Sequence, residues 1–217
     1  TEFMPKMVKY LKGVGVELKT NEEVLEIATS AGLVTEIKTS KGFYNADEIV
    51  LAAGSWSGKI SKQLAIKLPL QAGKGYSINV KRPTGISIPA VLMEAKAAVT
   101  PMQGFTRFAG TMEFSGINDI IRKERVEAIA NAAKSYYPEI EISQNDKSNA
   151  KSGLRPVSPD GLPYIGRSKS YSNLFFATGH AMMGWSLGPA TGKLVSEIID
   201  GKNTAMDIKP FTPDRKF

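Results

Sequence analysis

Cysteine is absent from this chain and histidine occurs once, at His180. The first absence excludes a disulfide framework, thiolate catalysis and cysteine-ligated zinc, and the second excludes a multi-histidine metal centre. No apolar run approaches the roughly 18 residues that a transmembrane helix requires. The opening TEFMPKMVKYLKGVGVE also lacks the long apolar stretch of a signal peptide. A cytoplasmic protein without metal chemistry is the expectation. A glycine-rich GxGxxG turn is missing too. Such a turn brings a dinucleotide's pyrophosphate against the backbone at a helix N-terminus, so dinucleotide binding by these residues is expected to be incomplete.

What is present is an ordinary globular composition, 42% apolar over 217 residues, which suffices for one large domain or two small ones. The formal charge of +7 admits nucleic acid, an anionic membrane surface or anionic ligands as partners. The lysines, however, are scattered from Lys9 to Lys67 without interleaved aromatics. A solvated surface accounts for that pattern. Nucleic acid is not expected as a partner, and peripheral association with the inner face of the cell membrane is kept as the minor reading.

Periodicity predicts a helix over residues 4–12, stopped by Gly13 and Gly15, then a short strand at 16–18. Strand-like runs at 23–28, 34–39 and 42–44 read as an antiparallel meander. The segment EIVLAA at 48–53 is continuously apolar, as in a parallel strand buried on both faces, and it ends at Gly54. Beyond it, short strands at 76–80, 88–92, 97–101 and 106–110 suggest one open antiparallel sheet. A helix over 119–136 follows, with Asn118 as N-cap and Pro138 as terminator. The fold class is therefore α/β plus α+β. Residues 1–62 and 151–217 form a partial Rossmann-like domain, and residues 63–150 form an inserted antiparallel-sheet domain. An unpaired sheet edge leaves homodimerisation open.

Two segments could carry chemistry. Arg155 in GLRP follows a glycine that permits close approach and precedes a proline that fixes the chain direction. Its fork suits a small carboxylate, and the alternative is pairing with Asp160. In TGHAMMGWSLGPATG, Ser186 is the expected N-cap of a helix over 187–199, whose free N–H groups would form an anion site. The plainer alternative is an ordinary capped helix with Gly179 and Gly184 as turn residues. His180 reads as a structural hydrogen-bonding group. Trp56 and Trp185 read as core or interface aromatics, and Tyr76 as either a pocket wall or a plain sheet residue.

The segments EIVLAAGSWS, LPLQAGKGYSI, AAVTPMQGFTRFAGTMEF, GLRPVSPDGLPYIG and NLFFATGHAMMGWSLGPATGKLVSEII occur in one order. Together they resemble the FAD-dependent D-amino acid oxidase superfamily, the DAO family, and most closely its bacterial D-amino acid dehydrogenase branch. The resemblance implies FAD as cofactor, held in a domain that a substrate domain splits. It implies that Arg155 clamps the substrate carboxylate, with Tyr76 at the pocket, and that Gly153 is among the residues that contact the cofactor. Gly179, His180, Met183, Gly184, Trp185, Ser186 and Leu187 would line the flavin pyrimidine edge. Ala53 and Gly54 would lie near the ribityl and phosphate portion, Trp56 would close over the cofactor, and Val24 would contact the adenine through its backbone.

The implied reaction is hydride transfer from the Cα of a D-amino acid to the flavin, followed by imine hydrolysis to a 2-oxo acid and ammonia. It needs positioning more than a dedicated side-chain base. Electrons would pass on to a quinone or to oxygen. A glycine- or sarcosine-type amine oxidase and a non-catalytic module remain alternatives. Ala98 stands where some relatives carry a carboxylate-binding tyrosine, and Lys151 stands where an aromatic is expected. The family's ADP-holding unit has no counterpart here, so the chain is expected to be part of a longer enzyme, inactive alone and with FAD absent or weakly bound.

Overall fold

A computed structural model describes residues 2–217. Helix α1 spans Phe3–Gly13. Its end is a Schellman closure: Gly15, at φ +87°, donates to the carbonyl of Lys12, and Val16 donates to that of Leu11 at 2.9 Å. The strand expected at 16–18 does not form, because the cap consumes the N–H of Val16. The meander is present as β1 (Val24–Ser30), β2 (Leu33–Thr39) and β3 (Phe43–Tyr44) in sequential order. Ala31 and Gly32 both have positive φ, the hairpin geometry that matches strand twist.

Strand β4 (Ile49–Leu51) leads into a 3₁₀ turn at Gly54–Trp56 and helix α2 (Ser57–Gln63). It lies parallel to β11 (Leu174–Thr178), which pairs antiparallel with β10 (Tyr164–Arg167). The parallel pairing agrees with the doubly wound expectation. Burial on both faces does not hold for β4 among the described residues: Leu51 is buried and Val50 is 40% exposed. Asn173 clips the meander to this layer, accepting from the Val34 N–H at 2.9 Å and donating to the Val34 carbonyl at 2.8 Å. Val34, Leu51, Leu64, Tyr164 and Phe176 share one core. Helix α5 (Gly184–Ile199) packs Leu194 and Val195 against Ile165.

The second layer is a five-stranded antiparallel sheet in the order β6-β7-β8-β5-β9. Its strands are β5 (Gln71–Val80), β6 (Ala90–Leu92), β7 (Ala97–Met102), β8 (Phe105–Phe114) and β9 (Lys151–Val157). Strand β9 pairs with β5 from Gln71↔Val157 to Ser77↔Lys151, so the inserted sheet continues past the boundary expected at residue 150. Helix α3 (Lys123–Tyr136) covers one face, seating Val126, Ile129, Ala130 and Ala133 on Tyr76, Ile78, Val80 and Phe108. Truncating such a core phenylalanine to alanine costs about 3–5 kcal/mol.

Asn118 is not the N-cap of α3. Its Oδ1 instead accepts from the Ile120 N–H in a local turn and from the Lys74 ammonium, and the helix starts four residues later than expected. Ile120 and Ile121 consequently sit outside the apolar stripe, exposed. A short helix α4 (Gln144–Ser148), absent from the sequence reading, carries a capping box between Ser143 and Asp146. Among the described residues no helix is long and apolar enough to cross a membrane.

Candidate functional site

Alternation along β5 sends Tyr76, Ile78 and Val80 under α3 and leaves Gly73, Gly75 and Ser77 on the open face. Cross-strand neighbours share a face, so Arg155, opposite Gly73, belongs to the open side. Its guanidinium lies over Gly75, where an added Cβ would stand 2.2 Å from both terminal nitrogens. A Cβ at Gly73 would meet the Met112 sulfur at 2.4 Å. Gly75 thus clears the floor for the Arg155 guanidinium, and Gly73 makes room for Met112 and Val157.

A bulge in β8 orients that side chain. The β5–β8 register shifts between Lys74 and Tyr76, and Thr111 adopts φ +64°, uncommon for a β-branched residue. The Thr111 carbonyl accepts from Arg155 Nη1 at 3.2 Å, and the Thr111 hydroxyl is buried without a partner. Strain and orphaned hydroxyl together cost on the order of 2–4 kcal/mol. Asp160, the alternative partner for Arg155, is instead bound to Arg215 at 2.8 and 2.9 Å. Among the described residues no carboxylate lies within 4.0 Å of Arg155. Burial lowers its pKa, yet an arginine so placed keeps its charge.

The loop before α5 is fastened to the end of β9. His180 bridges Val157, and the Ala181 N–H donates to the Pro156 carbonyl at 2.9 Å. Gly179, at φ +83°, would set a Cβ 3.0 Å from the Tyr164 ring, so the position requires glycine. Helix α5 begins at Gly184 with Met183 as N-cap and no side-chain cap. Ser186 therefore lies inside the first turn and is not the N-cap, and the N–H groups of Gly184, Trp185 and Ser186 have no partner within the helix. Met182, Met183, Trp185 and Leu187 are exposed along this segment as an apolar shelf, with Trp185 edge-on to Phe3 at 5.4 Å. His180 Nε2 bonds Thr191 Oγ1 at 2.8 Å, and burial depresses its pKa.

Ala53 and Gly54 close β4, and Gly54 takes φ +53°. Thr178 Oγ1 accepts from Ser57 Oγ at 2.9 Å and donates to the Gly54 carbonyl at 3.3 Å, tying this turn to the strand that precedes Gly179. Trp56 is half exposed beside it. Gly153 is exposed, and a Cβ there would meet nothing within 4 Å, so no close approach within the chain demands glycine. Val24 stands apart, opening β1 opposite Thr39.

The Tyr76 side chain lies under α3, on the face of the sheet opposite the Arg155 side chain. It is 1% exposed and donates to Glu113 Oε2 at 2.8 Å. Glu113 also receives Arg122 at 3.2 Å, Arg125 at 3.6 Å and the fully buried Lys74 at 4.0 Å. Hydrogen bonding from Ser115 and Tyr76, with the Arg122 charge, holds its carboxyl at about 2. Sequence reasoning missed this network, as it missed Thr111 and Gly75. Only the spacing of Gly73 and Gly75 two residues apart in one strand carried a signal.

The open donors of α5, the apolar shelf beside them and the positive-φ turns at Gly54 and Gly179 fit the flat ring end of a flavin: anion-stabilising N–H groups at one edge, apolar side chains across the plane. When bound, FAD accepts a hydride.

The family model described as FAD dependent oxidoreductase matches residues 1–198. The chain is 34% identical over 216 residues to the D-amino acid dehydrogenase of Bradyrhizobium diazoefficiens, covering 98% of this chain and 51% of that protein. It is 30% identical to the glycine oxidase of Pseudomonas putida over 98% of its length and 59% of that protein. The crystal structure of glycine oxidase from Geobacillus kaustophilus superposes with a TM-score of 0.84 at 25% identity, over 95% of this chain and 55% of that one. The chain thus spans about half the length of the curated relatives it matches. By its sequence and its fold the chain belongs to the FAD-dependent oxidoreductases of the DAO family.

Proposed function

We propose that these residues form the substrate-clamping and flavin-edge half of an enzyme that oxidises D-amino acids to 2-oxo acids and ammonia. The observation that carries this reading is the placement of Arg155. Its guanidinium is free of any carboxylate among the described residues and is steered by Thr111. Arg155 stands two positions from the Val157–His180 bridge that fastens the α5 loop to β9. The same strand thus carries the clamp and anchors the loop that leads into α5. Arg155 binds and orients the carboxylate, the Gly179–His180 turn fixes the helix against the sheet, and the apolar side chains of residues 182–187 exclude water. His180 is engaged with Thr191 and takes no proton in this reading. FAD is the cofactor of the intact protein in this reading, and a quinone or oxygen takes the electrons.

A glycine-oxidase activity is the second reading, favoured by the 30% identity to that enzyme over nearly the whole chain. The test is an anaerobic absorption titration of the full-length gene product with D-amino acids, glycine and sarcosine. Flavin bands that bleach with D-amino acids support the first reading, and bleaching by glycine or sarcosine alone supports the second. Bands that persist with all of them overturn both.

A further inference from the structure

The open sheet face holds more positive charge than one carboxylate needs. Arg155, Lys151 and Arg107 line a single depression of about 430 Å³, together with Ser77, Ala109 and Gly153. Strand register puts all three cations on this face: Lys151 is opposite Ser77, and Arg107 is opposite Asn79. No acidic side chain lines the depression, and among the described residues none lies within 4.0 Å of any of the three. Arg107 is held by one bond, Nε to Asn79 Oδ1 at 3.0 Å, which leaves its terminal nitrogens for a ligand. Uncompensated like charges sharing a depression are unfavourable unless an anion joins them.

The spacing defines that anion. The Arg155 guanidinium lies over Gly75, which pairs with Gly153, and Lys151 is two residues further along β9. Two residues of strand span about 7 Å. That gap, narrowed by a lysine stem that can lean along the strand, suits two carboxylates joined by a short carbon chain. The glycines at positions 75 and 153 leave the floor between them free of side chains, and the facing Ala98 and Ala109 add no bulk on the neighbouring strands.

Resting on the function proposed above, we infer that the preferred substrate is a 2-amino dicarboxylic acid of the aspartate or glutamate type. Arg155 takes the α-carboxylate, and Lys151, supported by Arg107, takes the side-chain carboxylate. The lysine that departs from the aromatic expected before GLRP is then the specificity-determining residue.

The experiment compares anaerobic flavin reduction of the full-length protein by D-aspartate and D-glutamate with that by D-asparagine and D-glutamine, which match them in shape and lack the charge. The acids are expected to exceed the amides in kcat/KM by about 10- to 100-fold, mainly through KM. Lys151→Met should reduce that ratio about tenfold or more, and Lys151→Arg should restore most of it. Amides or D-alanine that match or outperform the acids in the unmodified protein overturn the inference while leaving the D-amino acid reading intact. A ratio that survives in Lys151→Met removes Lys151 from it. Failure of every amino acid to reduce the flavin overturns both readings.

Discussion

Arg155 is steered by the carbonyl of Thr111, a residue whose own backbone is held in the left-handed region. The bulge that sets Thr111 there also buries its hydroxyl without a partner. The proposed binding geometry at this point comes at the expense of local stability, as is common where a ligand group must be pre-oriented.

Replacing Thr111 by glycine removes both costs. Thr111→Gly is expected to raise unfolding free energy by on the order of 1–2 kcal/mol, partly offset by the greater chain entropy of glycine when unfolded. Urea denaturation measures it, and a lowered midpoint would show that the backbone at this position is not strained.

Gly75→Ala tests the floor beneath the clamp. The new methyl would displace the end of a flexible side chain, so the fold tolerates it, whereas the guanidinium must leave its position. Amino acid KM is expected to rise about tenfold or more, with flavin content and melting temperature close to the parent. Unchanged KM would mean that the guanidinium position over Gly75 is irrelevant to binding.

The Glu113 network predicts acid sensitivity. Its carboxyl is held at about 2 against an ordinary 4.5, so the folded state binds fewer protons than the unfolded one between those values. The contribution is complete above pH 4.5 and is lost as pH falls towards 2. Asp160, held at about 2 against an ordinary 3.8 by its hydrogen bonds from Arg215, adds to the loss between those two values. Urea midpoints recorded from neutral pH downwards should fall steeply there, and Glu113→Gln should flatten the slope. An identical slope in the variant would assign acid sensitivity elsewhere.

Much of this architecture was legible in residue order. The meander, the parallel β4 and the antiparallel sheet followed from patterning, and the α5 segment was recognised as a helix. What escaped was set by contacts distant in sequence. Alternation in β5 could assign Tyr76 to a face only once it was known which face α3 covers, so its burial against Glu113 was invisible. The helix starts shifted because Asn118 is engaged by Lys74, 44 positions away, and because Met183 caps α5 through backbone alone. Arg155 was singled out because GLRP is a local signal. Its freedom from Asp160 was not, since Arg215 near the C-terminus decides it.

Every role proposed for this site requires that Arg155 grip the substrate carboxylate. Stopped-flow flavin reduction of the full-length protein across amino acid concentrations, with Arg155→Met beside the parent, addresses it directly. The substrate dissociation constant is expected to rise about 100-fold or more, with the oxidised flavin spectrum unchanged. A dissociation constant within about twofold of the parent, beyond the scatter expected of a lost charge-assisted bond, would contradict it.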